Sequence, residues 1–567
     1  MLESWAEFFT AAKEQYAAAK SGLGPLRLTK GDIVMLALRK GLHDLHLFVS
    51  DVKQDLGDIS LVRRTLILGL VVTVAALAFD RITAHSRSLA RQSGLPVLQW
   101  PKGVSRWDYQ AGLREGARKY PNTPYIISYS GYEYVVYPGA SFDEVKRLPA
   151  ATASMIEWFT SVYFQGWRFL GHDNSSLHKM LAVDLTRAVP SKTHERQIQA
   201  WKAIDEVLDA DSRNWKAVPL SSSLMDIVAR TNATSLVGPD LGNDPRWCNA
   251  VKRLPIAIML PVFICHAVPR VIRPLISAVA FAPAWALYWY MGMVLRPVVT
   301  KNMEQNVTLD DPIDLDKSKN PGIVSNGPQS SFPLTAWLMS RYNTSERNLE
   351  QVIHDYIVTS FESTPSTAGT LYFILAELVA RPALVEELRD ELKASTDRHG
   401  YLPQNHVSGL PKLDSVMRES SRVNAFSYLT LFRKVLGPTQ LSVGPSLPAG
   451  SLICVDANHL TTDPSRWSNA ETFEPMRFFR MRQEPGQENL HQFTSLGSDV
   501  PVWGDGLQAC PGRVFAASTI KIILAHLLLS YDLQLPEGAQ KPKRNSMPNG
   551  SMSPDMGCKI FIRKRQV

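Results

Sequence analysis

Residues 502–516 read VWGDGLQACPGRVFA, and the chain runs on from Arg513 as RVFAASTIKIILAHLLLSYDL. Apolar residues in the second stretch recur at helical spacing, so it reads as a buried helix. Pro511 suits the first turn of that helix. Gly504, Gly506 and Gly512 let the backbone adopt positive φ or approach a flat ligand closely. Cys510 then lies at a helix N-terminus, where the dipole favours a thiolate. A thiolate in a glycine-framed loop points to a soft, electron-donating metal ligand.

The rest of the chain bounds the alternatives. It has 567 residues, ample for a large core. Five cysteines, an odd number with no CxxC pair, argue against a disulfide scaffold or a zinc site. The net charge of +8 suits an acidic protein partner or anionic lipid. No arginine-rich helix or aromatic-interleaved basic strand points to nucleic acid. Residues 1–58 read as an extension of amphipathic helical pieces, with no secretory signal. Residues 59–81 hold the uncharged run TLILGLVVTVAALAF and read as a membrane anchor, flanked by Arg63, Arg64 and Arg81. A second run, PLISAVAFAPAWALYWYMGMVL at 274–295, is longer and on hydropathy alone the better span. Residues 346–394 read as helix with a break near RPAL, and 429–456 as β-prone runs split by Gly-Pro turns.

WGDGLQACPGR resembles the haem-binding loop of the cytochrome P-450 family, FGxGxRxCxG. ESSR, Glu419–Arg422, resembles the family's ExxR pair, and FEPMRF supplies Arg477, which the family packs against that pair. Arg433 in LFRKVLG matches a position whose guanidinium meets a haem propionate. The wording, including VGPDLGNDPRW, is closest to membrane-bound monooxygenases of fungal secondary metabolism. The resemblance implies a mainly α fold with small β-sheets over 96–567, preceded by the N-terminal anchor. It implies haem b with Cys510 as axial ligand to iron, cradled by Gly504, Gly506 and Gly512, with Arg433 and Gln508 at the propionates. Glu419, Arg422 and Arg477 would hold the loop. A Glu and an Arg three apart on a helix can pair independently of any family.

Three departures stand out. Gln508 replaces the usual Arg or His, so an amide without charge faces the propionate. Trp503 replaces the usual Phe. The distal helix site falls in FESTPSTAGT, 361–370, where Pro365 takes the place of the family's acid and Ser366 that of its alcohol. Proline there removes a donor and kinks the helix. Glu362, at i−4 from Ser366, shares its face. It either supplies the missing acid or is structural while water delivers protons. Ser366, with Glu362 and Thr367, makes up the candidate proton-handling set.

The implied activity is monooxygenation of an apolar small molecule, with O2 and electrons from NADPH through a separate cytochrome reductase. The chain itself carries no flavin or nicotinamide motif. An oxygen-independent haem-thiolate isomerase or dehydratase, or a non-catalytic haem or lipid binder, are the alternatives. Both halves of the fold must pack around one haem, so 254–299 is expected to dip into the membrane rather than span it. That places the catalytic domain on the cytosolic face of the endoplasmic reticulum. It leaves the five sequons, at Asn174, Asn232, Asn306, Asn343 and Asn549, unglycosylated.

Overall fold

The computed structural model describes residues 89–566, and Gly69 before them, except Arg106, Ser130, Asn174, 308–331, 344–346 and 548–549. The chain divides into two units, Met1–Arg81 and Ile82–Val567, and the elements below belong to the second. The extension at 1–58 and the anchor at 59–81, Gly69 apart, lie outside the described residues.

Helices dominate, and the strands among the described residues form three small sheets. In chain order these are β1 (Tyr125–Tyr129), β2 (Tyr132–Tyr137), β3 (Ala153–Ser154), β4 (Lys216–Pro219), β5 (Leu429–Val435), β6 (Leu452–Asp456), β7 (Tyr531–Gln534), β8 (Arg544–Ser546), β9 (Met552–Pro554) and β10 (Lys559–Lys564). The largest sheet runs β1-β2-β6-β5-β3, with β2 and β6 parallel and the other pairs antiparallel. Tyr134 to Tyr137 and Leu452 to Asp456 are buried without alternation, because both faces of this sheet are covered.

Eight helices build the rest of the site's frame: α1 (Thr193–Leu208), α2 (Leu220–Val237), α3 (Pro245–Ala267), α4 (Ala282–Val307), α5 (Leu349–Ser363), α6 (Pro365–Val379), α7 (Pro411–Val423) and α8 (Arg513–Ser530). The buried helix expected after Cys510 is α8. Ile520, Ile522, Ile523, Leu524 and Leu528 are all fully buried, so apolar residues cover more than one face and the helix is ringed by α1, α2, α6 and α7. Each such side chain contributes about 1.5–3 kcal/mol relative to exposure. It ends at Tyr531, where the chain turns extended into β7.

The helical stretch from 349 onwards is broken twice. Pro365 has no N–H for the Phe361 carbonyl, and α5 stops at Thr364 (φ −99°, ψ −61°), with Pro365 opening α6 at its first turn. At Arg381–Pro382 the axis turns by 114° into the helix Pro382–Ser395, the break expected at RPAL.

By length and composition three described helices could cross a membrane: Pro245–Ala267, Arg270–Glu304 and Arg513–Ser530. The last is the core helix α8. In Arg270–Glu304 only 22% of the apolar window is buried, and Leu275, Val279 and Trp289 are 74%, 74% and 67% exposed. The sequon at Asn232 is 1% exposed with its amide bonded on both sides, so the folded chain leaves no room for a glycan there. Asn174 and Asn549 lie outside the described residues.

Asp456 ends β6 and caps the short helix Ala457–Thr462, accepting from the His459 N–H at 2.8 Å. Its other oxygen has no partner, and burial pushes the carboxyl up to about 7. The native state therefore holds a proton that the unfolded chain releases near pH 4. This stabilisation is complete below pH 4 and is lost as the pH rises through 7. Asp456→Asn keeps the capping acceptor without the charge. It is expected to raise stability at pH 8, relative to pH 5, by on the order of 1–3 kcal/mol. Denaturant unfolding of both proteins at the two pH values measures this; equal pH dependence in the two would refute it.

Candidate active site

The cysteine loop is held by its backbone. Cys510 N–H donates to the Trp503 carbonyl at 2.8 Å, and the Cys510 carbonyl accepts from Arg513 Nη1 at 3.1 Å. Gly504 and Gly506 sit at φ +65° and +68°. A Cβ at Gly506 would lie 2.1 Å from the Lys146 carbonyl oxygen, so only glycine fits. A Cβ at Gly512 would meet nothing within 4 Å: that position borders open space. Trp503 donates its indole N–H to the Phe493 carbonyl at 2.7 Å and packs edge-on against that ring.

Burial pushes the Cys510 thiol up to about 11; the Gly512 N–H and Arg513 act against this, and Glu362 adds to it. The helix end favours the thiolate but is outweighed by burial. One pKa unit is about 1.4 kcal/mol, and a helix end typically supplies about 0.3–1 kcal/mol. Desolvation wins, and a thiolate here requires a cation on the sulfur itself.

Opposite the sulfur stands the broken distal helix. Glu362 is open to water yet enclosed by protein, and burial pushes its carboxyl up to about 7. Its charge acts on the Cys510 thiol across the intervening space. Ser366 is likewise open, and its hydroxyl donates to the Glu362 carbonyl at 3.0 Å. A cavity of about 80 Å³ is walled by Ser366, Thr370, Phe373, Phe426, Phe493 and Trp503. Thr367 is 3% exposed and absent from this wall. One residue on from Ser366 turns it about 100° round the axis, into the packing. Thr370, a full turn on, takes the place expected of Thr367.

Arg433 is 1% exposed. It lies just past a bulge in β5, where the register with β6 shifts between Thr430 and Arg433 and Leu431 adopts φ +51°. Nη1 donates to the Phe432 carbonyl at 2.8 Å, while Nε and Nη2 have no partner. Burial pulls the guanidinium down to about 10, and Asp173 partly counters this. A buried cation with two unanswered donors fits an incoming carboxylate, such as a haem propionate. Gln508 does not share that task. Its Oε1 accepts from Met155 N–H at 2.8 Å, and both amide hydrogens go to the Ala153 and Leu148 carbonyls at 2.9 and 3.3 Å. With no donor left over, it ties the loop to 148–155 instead.

The loop and the irregular stretch before it are pinned to α7. Glu419 is fully buried and accepts from Arg422 Nε and Nη2 at 2.8 and 2.7 Å, from Arg477 Nε at 3.2 Å and from the Glu474 N–H at 3.0 Å. Arg422 also donates to the carbonyls of Thr461, Ala470 and Thr472. Arg418, which motif reading passed over, binds the Gln492 and Ser495 carbonyls and Asp499. Lys521 in α8 pairs with Asp414, whose other oxygen takes the Phe493 N–H. Spacing held the signal for Arg418, one turn before Arg422 on the same helix face, but charge spacing does not tell a buried anchor from a solvated one.

Residues 325–560 match the family Cytochrome P450. The chain is 42% identical to "Cytochrome P450 monooxygenase CYP1" of Pyricularia oryzae, over 86% of this chain and 88% of that one. It is 38% identical to "Cytochrome P450 monooxygenase ffsD" of Aspergillus flavipes, over 97% and 99%, and 35% identical to "Pyrichalasin C-18 hydroxylase" of Pyricularia grisea, over 97% and 98%. Among solved structures, the haem domain in "Crystal structure of cytochrome P450DA heme domain" superposes with a TM-score of 0.58 at 13% identity, covering 83% of this chain and 97% of that one. That likeness is one of fold. Near-full-length identity to these enzymes makes the chain a member of the cytochrome P450 family.

Proposed function

We propose that the chain is a haem-thiolate monooxygenase that oxidises an apolar small molecule of a secondary-metabolite pathway, using O2 and electrons from NADPH through a separate reductase. The observation that carries this is the buried Arg433 guanidinium, two of whose donors have no partner, on a strand that Thr430 ties to the head of the cysteine loop through the Pro501 carbonyl. Haem b, which Cys510 would hold through its sulfur, would supply a redox-active iron whose thiolate ligation favours O–O cleavage. Arg433 answers a propionate. Glu419, Arg422 and Arg477 hold the loop in register, and Gln508 braces it. Ser366 Oγ accepts a proton from Glu362 or water and passes it into the cavity, while Phe373, Phe426 and Phe493 keep bulk water out. Glu362, whose carbonyl accepts from Ser366 and whose charge acts on Cys510, offers the site an acid despite the proline at 365, which favours monooxygenation over the isomerase reading. The pyrichalasin C-18 hydroxylase likeness supports hydroxylation at carbon. The anchor at 59–81 and the exposed apolar face of Arg270–Glu304 seat the catalytic unit on the cytosolic side of the endoplasmic reticulum.

Feeding pathway intermediates to cells with and without the gene, under 18O2, tests the reading. A product carrying one labelled oxygen is expected; turnover without NADPH or O2 would establish the isomerase, and a spectral shift without turnover the binder. Ser366→Ala and Glu362→Gln should each keep haem and substrate binding. They should lower the yield of product per NADPH and release more peroxide, with a rate loss of about 10²–10⁴-fold for a lost acid–base group. If the two act as a unit, the double variant is little worse than either single one. Unchanged coupling in both would move the relay to Thr370.

A further inference from the structure

Arg196 is a buried cation that neither the loop nor the propionate site uses. It projects from α1 at 1% exposure, and its guanidinium lies 4.3 Å over the Phe515 ring. Its partners are hydroxyls: Ser518 Oγ at 2.5 Å, Thr519 Oγ1 at 2.6 Å and Ser235 Oγ at 3.3 Å. No carboxylate pairs with it among the described residues. Burial draws its pKa down to about 9, which leaves it charged at neutral pH. Burying a cation against neutral groups is costly, and an apolar side chain would fill this space without that cost.

What the cation supplies is direction. A guanidinium only donates, so the hydroxyl hydrogens of Ser518 and Thr519 must point away from it. Ser518 turns to His406 Nε2 at 2.9 Å; burial holds that imidazole neutral, its pKa near 3, so it accepts. Thr519 turns to Asn232 Oδ1 at 2.9 Å, with the Phe515 carbonyl of its own helix as a second acceptor at 3.1 Å. Asn232 is thereby fixed with its NH2 outward, and it donates to the Ser363 carbonyl at 2.9 Å. Ser363 is the last residue of α5, next to the break that positions Glu362 and Ser366. An Asn232 flipped end for end would set oxygen against oxygen at that carbonyl.

We propose that Arg196, acting through Thr519 and Asn232, is a positioning residue that holds the broken turn Ser363–Pro365, and with it the Glu362–Ser366 wall. The consequence for oxygen chemistry rests on the monooxygenase reading; the mechanical claim does not.

Thr519→Val keeps the volume and removes the link, whereas Thr519→Ser keeps the hydroxyl. Hydrogen exchange of the haem-loaded protein, followed by mass spectrometry, should show peptides over 361–370 exchanging about threefold to tenfold faster in Thr519→Val, the worth of one net hydrogen bond. Thr519→Ser should restore the wild-type rate. Asn232→Leu, which removes only the last link, should reproduce the effect and serves if Thr519→Val does not fold. Faster exchange confined to 193–208 and 513–530, or no change at 361–370 in a haem-loaded variant, would overturn the proposal. NADPH consumed per product should rise in parallel. Faster exchange at 361–370 without that rise would leave the strut standing and count against the monooxygenase reading instead.

Discussion

Glu419→Ala is expected to destabilise the fold by about 3–5 kcal/mol and to yield protein that purifies with little haem. The carboxylate is the common acceptor of Arg422 and Arg477 and of the Glu474 N–H, all in a region without water access. Its removal leaves two buried guanidiniums facing each other. Arg422 keeps only the neutral carbonyls of Thr461, Ala470 and Thr472, and Arg477 keeps the Ser468 carbonyl and the half-buried Glu474 carboxylate, 2.9 Å away, which answers one guanidinium but not both. The stretch from 461 to 477 hangs on these two side chains and leads into the cysteine loop, so the loss is felt at Cys510. Glu419→Gln should lose less, because one oxygen still accepts. Urea unfolding and the haem-to-protein ratio measure both variants. A Glu419→Ala protein with wild-type midpoint and full haem would show that the triad does not hold the loop.

That triad is legible in the sequence, because its order relative to Cys510 matches that of the family's motifs and a Glu–Arg pair three apart is local to one helix. The helix behind the cysteine was legible for a similar reason: its apolar residues outnumber what one face can hold. Features that depend on pairing between distant segments were not. The bulge before Arg433 exists only in the register of β5 against β6, and nothing in LTLFRKV marks Leu431 for positive φ. The motif position of Gln508 suggests a propionate ligand, but its amide is engaged by three backbone groups around Leu148–Met155, a pairing that the local sequence does not carry. Thr370 rather than Thr367 lines the cavity, a matter of helical phase, since i+4 rather than i+1 shares the Ser366 face. The burial that opposes the Cys510 thiolate was not legible either, because desolvation belongs to the packed state and leaves no trace in a glycine-framed motif.

Cys510→Ala should abolish turnover while leaving the chain folded. The loop's shape rests on the Trp503 carbonyl, the positive-φ glycines and the Lys146 contact, and none of these involves the sulfur. Small side chains such as alanine fit that backbone, so the change in apo stability should stay within about 1 kcal/mol, as for substitutions that create no large cavity or unpaired charge. Haem should still enter, because Arg433 and the aromatic walls are unchanged, but more weakly. The axial thiolate is what gives such iron its electron-rich character, so the ferrous carbonyl complex of the variant should lose the red-shifted Soret band of the wild type. Cys510→Ser separates sulfur from mere occupancy: its hydroxyl fills the same place, yet a harder oxygen donor should not restore the band. A red-shifted band surviving in Cys510→Ala would mean that another residue ligates the iron. The remaining candidates, Cys248, Cys265, Cys454 and Cys558, would then need to reach the cavity, and the first three are buried in packing contacts or strand β6 far along the chain from the glycine loop.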